Sequence, residues 1–220
     1  MVVDPAPERI PEEERDGIKQ EDDGRPVRSV RPWEPDDTSK GRRPRWYAPP
    51  MAEVRTDRPV MPDGYGVPET ASGLLAWSTV EAKLRAATEF WLASTRPDGR
   101  PHVVPRWGVW FDGAFFYDGS PMTRHARNLA ENPSCALHLE SGADVVILEG
   151  GSQPSAPIDT DLGGRLSAEY GRKYGARGYA PAADSWSDEH AGGMRIFVPR
   201  TGLAWSEFPA DVTRFHFAAG

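Results

Sequence analysis

From residue 71 onward, short segments with a hydrophobic period of two are separated by turn residues at about 8–12-residue intervals. Asp98-Gly99 and Asp112-Gly113 supply the positive φ that tight hairpin turns need, and Ser141-Gly142 separates two further segments. A long strand is predicted over residues 102–111, and shorter strands over residues 195–198, 202–207 and 213–217. Six or seven antiparallel strands spaced in this way indicate a barrel or a sandwich and argue against a parallel α/β sheet.

Three helices interrupt the predicted strands. Residues 78–89 begin with Ser78-Thr79-Val80-Glu81, a capping box in which Ser78 accepts a hydrogen bond from a first-turn amide and Glu81 reaches back. The second helix is predicted over residues 123–131, because Asn132-Pro133 stops it, and the third over residues 162–174. The fold class is therefore mainly β with a few helices (α+β).

Charge and proline are concentrated near the N-terminus: residues 1–70 hold 28 of the 59 charged side chains and 12 of the 22 prolines. A segment this polar buries too little apolar surface to offset the entropy lost on ordering it. Residues 1–60 are therefore predicted to form a disordered or extended N-terminal segment, with a docked tail as the alternative. Residues 61–220 are predicted to form one domain.

Charge and composition exclude several classes of partner. The net charge is −7, so the chain lacks the basic excess that binding to a nucleic acid backbone needs. No apolar run approaches the ~18 residues of a membrane span, and the acidic N-terminus has no apolar stretch typical of a signal peptide. Cys135 is the single cysteine and the five histidines lack metal-ligand spacing, so no disulfide or metal site is expected. The sequence predicts a soluble, cytoplasmic protein.

The segment that most clearly indicates a binding function is a Gly-Ser-Pro turn followed by a helix that begins with Thr123-Arg124-His125. The first turn of a helix presents unpaired amides and a partial positive charge, which stabilise an anion. Ser120 and Thr123 add hydroxyl donors, and Arg124 can bind a phosphate through two donors. This pattern predicts a phosphate site. The alternative is a capped surface helix with solvated arginines.

The strand before this segment has two different faces. Alternation places Val103, Pro105, Trp107 and Val109 on one face, and His102, Val104, Arg106 and Trp110 on the other. A proline inside a strand marks an edge or a bulge, because it cannot donate to the ladder. Unpaired backbone groups beside an anion site suit a flat heteroaromatic ring. The alternative is that both tryptophans belong to the core.

Five motifs occur in order along the chain: Arg96-Pro97-Asp98-Gly99-Arg100-Pro101-His102, Trp107-Gly108-Val109-Trp110, Ala126-Arg127-Asn128-Leu129, Asn132-Pro133 and Val145-Val146-Ile147-Leu148-Glu149-Gly150. Together they resemble the pyridoxamine 5′-phosphate oxidase-like split β-barrel family, especially its actinobacterial flavin- and deazaflavin-dependent oxidoreductases, over residues 62–217. The resemblance implies a six-stranded antiparallel split β-barrel over residues 61–220. It also implies a homodimer with FMN or coenzyme F-420 in each interface groove.

The resemblance assigns residues 102–107 to the ring of the cofactor and residues 118–128 to its phosphate. The predicted cofactor-binding residues are His102, Val103, Val104, Pro105, Arg106, Trp107, Asp118, Ser120, Thr123, Arg124, His125 and Asn128. Similar proteins have a lysine at the position of His125 and a small apolar residue at that of Arg106. Trp107, Trp110 and Trp205 are the aromatic side chains expected to anchor the dimer.

The function implied is that of an oxidoreductase that transfers a hydride between FMN or F-420 and a small unsaturated organic substrate. The cofactor performs the chemistry in such enzymes, so the sequence is not expected to contain a catalytic dyad, and no catalytic residue is assigned. The alternatives are a non-catalytic split-barrel protein that binds flavin, F-420 or haem, and a family member whose groove is empty.

Overall fold

The computed structural model describes residues 54–187 and 193–217. The first 53 residues of the predicted N-terminal segment, and His190, lie outside this part of the chain. The strands are β1 (Arg55–Asp57), β2 (Phe90–Thr95), β3 (Pro101–Arg106), β4 (Val109–Phe111), β5 (Ala114–Asp118), β6 (Ser134–His138), β7 (Val145–Pro154), β8 (Met194–Trp205) and β9 (Thr213–His216). The helices are α1 (Trp77–Ala86), α2 (Arg124–Glu131) and α3 (Thr160–Tyr174), and a short 3₁₀ turn (Gly175–Arg177) follows α3.

All strand pairings are antiparallel, and the strands form one sheet in the order β1-β9-β8-β7-β6-β2-β3. The β4–β5 hairpin joins this path because β5 pairs with β8. This architecture confirms the mainly β fold class with a split barrel. Strand β3 ends the path and pairs with β2 alone among the described strands, so its second edge is free for other contacts. Strand β1 belongs to the segment predicted to be disordered or extended, and it pairs with β9.

Strand β8 is a single strand of 12 residues, whereas the sequence predicted two. Its first half pairs with β5, its second half pairs with β9, and β7 accompanies both halves. The register between β7 and β8 shifts at Glu149/Gly150, which pair with Thr201 and Pro199 and leave Arg200 as the extra residue on β8. A Cβ on Gly150 would come within 2.1 Å of the Val198 carbonyl oxygen. The strand therefore continues past Pro199 with a bulge at Arg200.

Two hydrophobic clusters fill the interior, and β8 contributes to each. The α1 core packs Trp77, Val80 and Leu84 of α1 against the sheet, and it includes Phe197 and Ala204 of β8. The α3 core packs the apolar face of α3 against β4 and β5, and it includes Met194 and Ile196 of β8. None of the three helices described here is long and apolar enough to cross a lipid bilayer.

The capping box predicted at Ser78 is wrong. Helix α1 begins at Trp77, its N-cap is Ala76, and no side chain caps it. Trp77 is buried against Phe215, which favours a helix start one residue earlier than the polar pattern suggested. Glu81 instead accepts hydrogen bonds from the Trp110 indole and from Arg85.

The strand predicted over residues 102–111 breaks at Trp107-Gly108. The Gly108 N–H donates to the Tyr174 hydroxyl at 3.0 Å, and that hydroxyl lies 2.8 Å from the Gly108 carbonyl oxygen. The Tyr174 hydroxyl on α3 thus contacts both the N–H and the C=O of Gly108, which would otherwise hydrogen-bond to a neighbouring strand. Beyond the break, Trp110 is only 2% exposed and belongs to the α1 core. Trp110 is therefore unsuited to anchor a dimer, and for this residue the alternative that the tryptophans belong to the core is correct.

Candidate functional site

Helix α2 begins as the sequence predicted, with Thr123 as its N-cap. The Thr123 hydroxyl accepts from the Ala126 amide at 3.4 Å and donates to the Ser120 carbonyl at 3.0 Å. Ser120 is exposed, and its hydroxyl accepts from the Met122 amide. Arg124 is also exposed, at the first helical position. The turn therefore orders the helix start and leaves Arg124 open to solvent.

The inner face of α2 packs on the β2–β3 hairpin. Asn128 is 1% exposed, and its amide nitrogen donates to Ser94 Oγ at 3.1 Å. Ser94 lies opposite His102 in the antiparallel register, so His102, Val104 and Arg106 share the face covered by α2. Val103, which is 50% exposed, and Pro105 lie on the other face.

Arg106 reaches from β3 to the end of β5. Its guanidinium donates to the Asp118 carbonyl and lies 5.5 Å from the centre of the Tyr117 ring. Gly119 has a φ of +151°, which side chains rarely adopt, so glycine is favoured here, and a Cβ would also come within 2.8 Å of Arg106 Nη2. The Asp118 carboxylate instead accepts hydrogen bonds from the Tyr179 hydroxyl and the Trp186 indole.

Trp107 lies at the end of β3 and is 39% exposed. Its ring stacks on Tyr174, with the ring centres 4.9 Å apart, and the Arg177 guanidinium lies 5.6 Å from its centre. The opposite end of β3 meets the turn that contains Arg96. An aromatic side chain therefore marks one end of the free strand, and the basic residues His102 and Arg106 lie on its α2 face.

Two histidines of this region are neutral at pH 7. Burial, followed by the positive charges of Arg106 and Arg195, lowers the pKa of His125 to about 4. Burial, followed by the charges of Arg96 and Arg124, lowers the pKa of His102. Because nearby cations act on both imidazoles, the electrostatic potential between α2 and β3 is positive.

Several buried polar atoms here have no hydrogen-bond partner among the residues that the structure describes. They are Arg96 Nε, His102 Nδ1, Arg106 Nε, Asn128 Oδ1 and Arg195 Nε. An unsatisfied buried donor costs about 1–3 kcal/mol, and more when it is charged. Four of the five atoms are nitrogens of basic side chains, whose chemistry matches a phosphate or a carboxylate. The residues present therefore fit an anionic group bound between α2 and β3.

The predicted site residues fall into four groups. Those between α2 and β3 are His102, Val104, Arg106, Thr123, His125 and Asn128. Ser120 and Arg124 lie exposed at the helix start, Val103, Pro105 and Trp107 belong to the opposite face and end of β3, and the Asp118 carboxylate lies with Tyr179 and Trp186. No three His, Cys, Asp or Glu side chains within residues 54–187 and 193–217 are grouped to hold a metal ion.

Three residues of the site were missed in the sequence. The alternation of β2 places Ser94 on its inner face, and this signal could have found it. Arg96 directly follows β2 in the turn, and its charge acts on His102. Arg195 lies on β8, far along the chain, and is 7% exposed. No local pattern links it to α2, because only the pairing of β8 with β5 brings it there.

The fold and the site define a split β-barrel protein with a positively charged corner at a free edge strand. The sequence profile of pyridoxamine 5′-phosphate oxidase matches residues 77–195, more than half of the chain. The chain belongs to the pyridoxamine 5′-phosphate oxidase family. A search of curated protein sequences found no match.

A comparison with solved structures found similarity at low sequence identity. A conserved hypothetical protein from Mycobacterium tuberculosis is 19% identical, with 62% of this chain and 88% of that chain covered and a TM-score of 0.48. The haem storage protein HutZ from Vibrio cholerae is 20% identical (56% and 88% covered, TM-score 0.43). An F420 reductase is also 20% identical (63% and 94% covered, TM-score 0.40).

Proposed function

We propose that the protein binds FMN or coenzyme F-420 through a phosphate at the start of α2. We further propose that it acts as an oxidoreductase on a small unsaturated organic substrate. The observation that supports this function is the group of buried, unpartnered basic nitrogens between α2 and β3. Burying cationic groups without an anion costs free energy. A bound phosphate group would accept hydrogen bonds from the basic nitrogens that have no partner in the folded chain.

The phosphate would be held by the side chains at the helix start. The exposed Arg124 guanidinium is the first donor, and the first-turn amides of α2 add their partial positive charge. The Thr123 hydroxyl, which donates to the Ser120 carbonyl, orders the turn beside them. His125 is neutral, so it contributes a hydrogen bond rather than the charge that a lysine would bring.

The ring would lie along the free edge of β3. The backbone groups on that edge can hydrogen-bond to the heteroatoms of a flat ring, and Pro105 leaves one position without a donor. When bound, the flavin or deazaflavin supplies hydride chemistry, whereas the protein binds, orients and shields it. Val103 and Trp107 offer apolar surface beside this edge, which would exclude water from the reacting face.

A second candidate is a non-catalytic haem-binding protein, favoured by the two neutral imidazoles. Iron is ligated by a neutral imidazole, and the low pKa values of His102 and His125 keep both rings available as ligands at pH 7. A haem titration of the wild type and of His102→Ala and His125→Ala distinguishes the two functions. If haem shows a shifted Soret band with the wild type and one variant loses this shift, the result favours haem binding through that histidine.

The decisive measurement is the affinity of the purified full-length protein for FMN and F-420, followed by flavin fluorescence. Arg124→Ala removes a charge-assisted pair and is expected to weaken binding by about 1.5–3 kcal/mol, roughly ten- to a hundredfold. Arg127→Ala, an exposed arginine one turn along the same helix, is the matched control and should bind within about twofold of the wild type. If Arg124→Ala binds as tightly as Arg127→Ala, the phosphate position is wrong. Turnover of the reduced cofactor with an enone then separates an enzyme from a carrier.

A further inference from the structure

The hydroxyl of Tyr174 lies at the point where the pairing of β2 with β3 ends. Phe90 and Arg106 are the last paired residues of this hairpin, and two steps further along the same antiparallel register Thr88 lies opposite Gly108. The ladder could therefore have continued to these two residues. It stops instead, because the Tyr174 hydroxyl on α3 hydrogen-bonds to both of them.

Thr88 and Gly108 form the kind of pair whose backbone groups face each other. In an antiparallel ladder such pairs alternate with pairs whose backbone groups point away. The Arg96 amide donates to the Arg100 carbonyl oxygen at 2.9 Å, and the pair of Thr88 and Gly108 lies an even number of steps from that pair. In a continued ladder, the Gly108 N–H would therefore donate directly to the Thr88 carbonyl oxygen.

The Tyr174 hydroxyl takes the place of this hydrogen bond. It accepts from the Gly108 N–H at 3.0 Å, and its oxygen lies 2.8 Å from the carbonyl oxygens of Thr88 and of Gly108, either of which can accept its single proton. Tyr174 is fully buried, so water does not compete for these contacts. One buried hydroxyl thus joins the start of β2 to the end of β3.

Tyr174 also supports the side chain of Trp107. The two rings stack with their centres 4.9 Å apart and their planes 11° from parallel. The backbone after Trp107 is packed tightly against β5, since a Cβ on Gly108 would come within 2.4 Å of the Phe115 ring and 2.5 Å of the Phe116 carbonyl oxygen. Tyr174 therefore fixes both the backbone that follows Trp107 and the surface on which its indole lies.

Two further contacts hold the end of α3 that carries Tyr174. Lys173 Nζ donates to the Ala87 carbonyl oxygen at 2.6 Å, and Arg177, in the turn after α3, forms a salt bridge with Glu89. The end of α3 thus contacts three consecutive residues that precede β2. The position of the Tyr174 side chain is therefore set by the fold before any ligand binds.

We propose that Tyr174 is a positioning residue for the cofactor ring and that it acts through Trp107. Trp107 follows the last residue of β3, is partly exposed and lies at one end of the free edge along which the ring would bind. Tyr174 is buried beneath the indole and does not reach the cofactor itself. Loss of its hydroxyl frees the backbone at the end of β3, and the indole moves with it. This inference rests on the proposed function and deepens it, because it names the residue that shapes the ring end of the site.

The test is a double-mutant cycle on cofactor affinity, with FMN and F-420 as the two probes. Tyr174→Phe keeps the stacked ring and removes only the hydroxyl, and we expect it to weaken binding about fivefold. Trp107→Leu should weaken binding about tenfold, and the double variant also about tenfold, since both changes act on the same contact with the ring.

Two controls separate positioning from a general loss of structure. Tyr170→Phe removes an equally buried hydroxyl one turn earlier on α3, which donates to the Phe116 carbonyl oxygen at 3.1 Å. This variant should bind the cofactor within about twofold of the wild type. Arg124→Ala acts at the phosphate, so its effect should multiply with that of Tyr174→Phe. All titrations are run below the lowest melting temperature of the set.

The possible results separate the positioning role from the proposed function. Equal affinities of Tyr174→Phe and Tyr170→Phe, or an effect of Tyr174→Phe that is the same with and without Trp107, would overturn the positioning role and leave the proposed function intact. Trp107→Leu tests the role even where Tyr174→Phe does not fold, because wild-type affinity in this variant leaves Tyr174 no route to the ring. A wild type that binds neither FMN nor F-420 overturns the proposed function, and the positioning role with it.

Discussion

His125 makes a specific contribution to the dependence of stability on pH. Its side chain is 4% exposed, and burial together with the charges of Arg106 and Arg195 lowers its pKa from 6.5 to about 4. The unfolded chain therefore binds a proton at a pH where the folded protein does not. The resulting stability is fully present above pH 6.5 and is lost as the pH falls towards 4.

The magnitude follows from the two pKa values. Each unit is about 1.4 kcal/mol, so complete acidification would remove roughly 3 kcal/mol of the free energy of unfolding. At pH 5, where the unfolded imidazole is mostly protonated and the folded one mostly neutral, the loss relative to pH 7.5 is about 2 kcal/mol. That is a large part of the stability of an ordinary domain.

Urea unfolding of the wild type and of His125→Gln at pH 7.5 and pH 5 measures this contribution. Glutamine is neutral at both values and can still hydrogen-bond to Thr123, so the variant should lose about 2 kcal/mol less than the wild type on acidification. Effects of carboxylates and of His102 are common to both proteins and cancel in the difference. Two curves of unfolding free energy against pH that run parallel would refute the assignment of the low pKa to His125.

Three further predictions concern the glycines of α3, the assembly and the N-terminal segment. Gly163→Ala should destabilise the protein by about 1–3 kcal/mol, because the new Cβ would lie 2.1 Å from the Ala183 carbonyl oxygen. Gly164→Ala should stabilise the protein by about 0.5–1 kcal/mol, because its Cβ would meet open space and alanine favours a helix. Chemical denaturation checks both, and equal effects would contradict the packing of α3. Light scattering at micromolar concentration is expected to give the mass of a dimer, since Val103 and Trp107 expose apolar surface on a free edge strand; a monomeric mass would contradict this. Removal of residues 2–50 should leave the melting temperature and cofactor affinity unchanged, because so polar a segment has little apolar surface to bury, and a clear fall in either would indicate a docked tail.

Local signals in the sequence predicted most of the fold. The hairpin at Asp98-Gly99 and the N-cap at Thr123 were found because turn and cap chemistry depends on neighbouring residues alone. The break at Gly108 was not found, since its cause is the hydroxyl of Tyr174 on a distant helix. The continuity of β8 was missed for a similar reason, because its pairing with the distant strand β7 continues past Pro199 through a bulge at Arg200.

The sequence predicted which segments form the candidate site, but it did not predict the electrostatic interactions within that site. Alternation placed His102 and Arg106 on one face, and the helix start identified Thr123 and Arg124. The burial of His125 was not visible, and neither was the fall of its pKa to about 4, because the burial and the approach of Arg106 and Arg195 arise only in three dimensions. Charges that act across strands leave no periodic trace in a sequence.

Strand β8 sets a condition on how the chain acquires its structure during synthesis. Its residues complete both hydrophobic clusters, and its partners include β5, which is some eighty residues earlier in the chain. A ribosome-bound chain that ends before residue 194 therefore leaves the apolar faces of α1 and α3 both unsatisfied, and neither cluster can close independently of the other. Until that strand emerges, the strand edges that it covers in the folded protein are open to pairing with other chains.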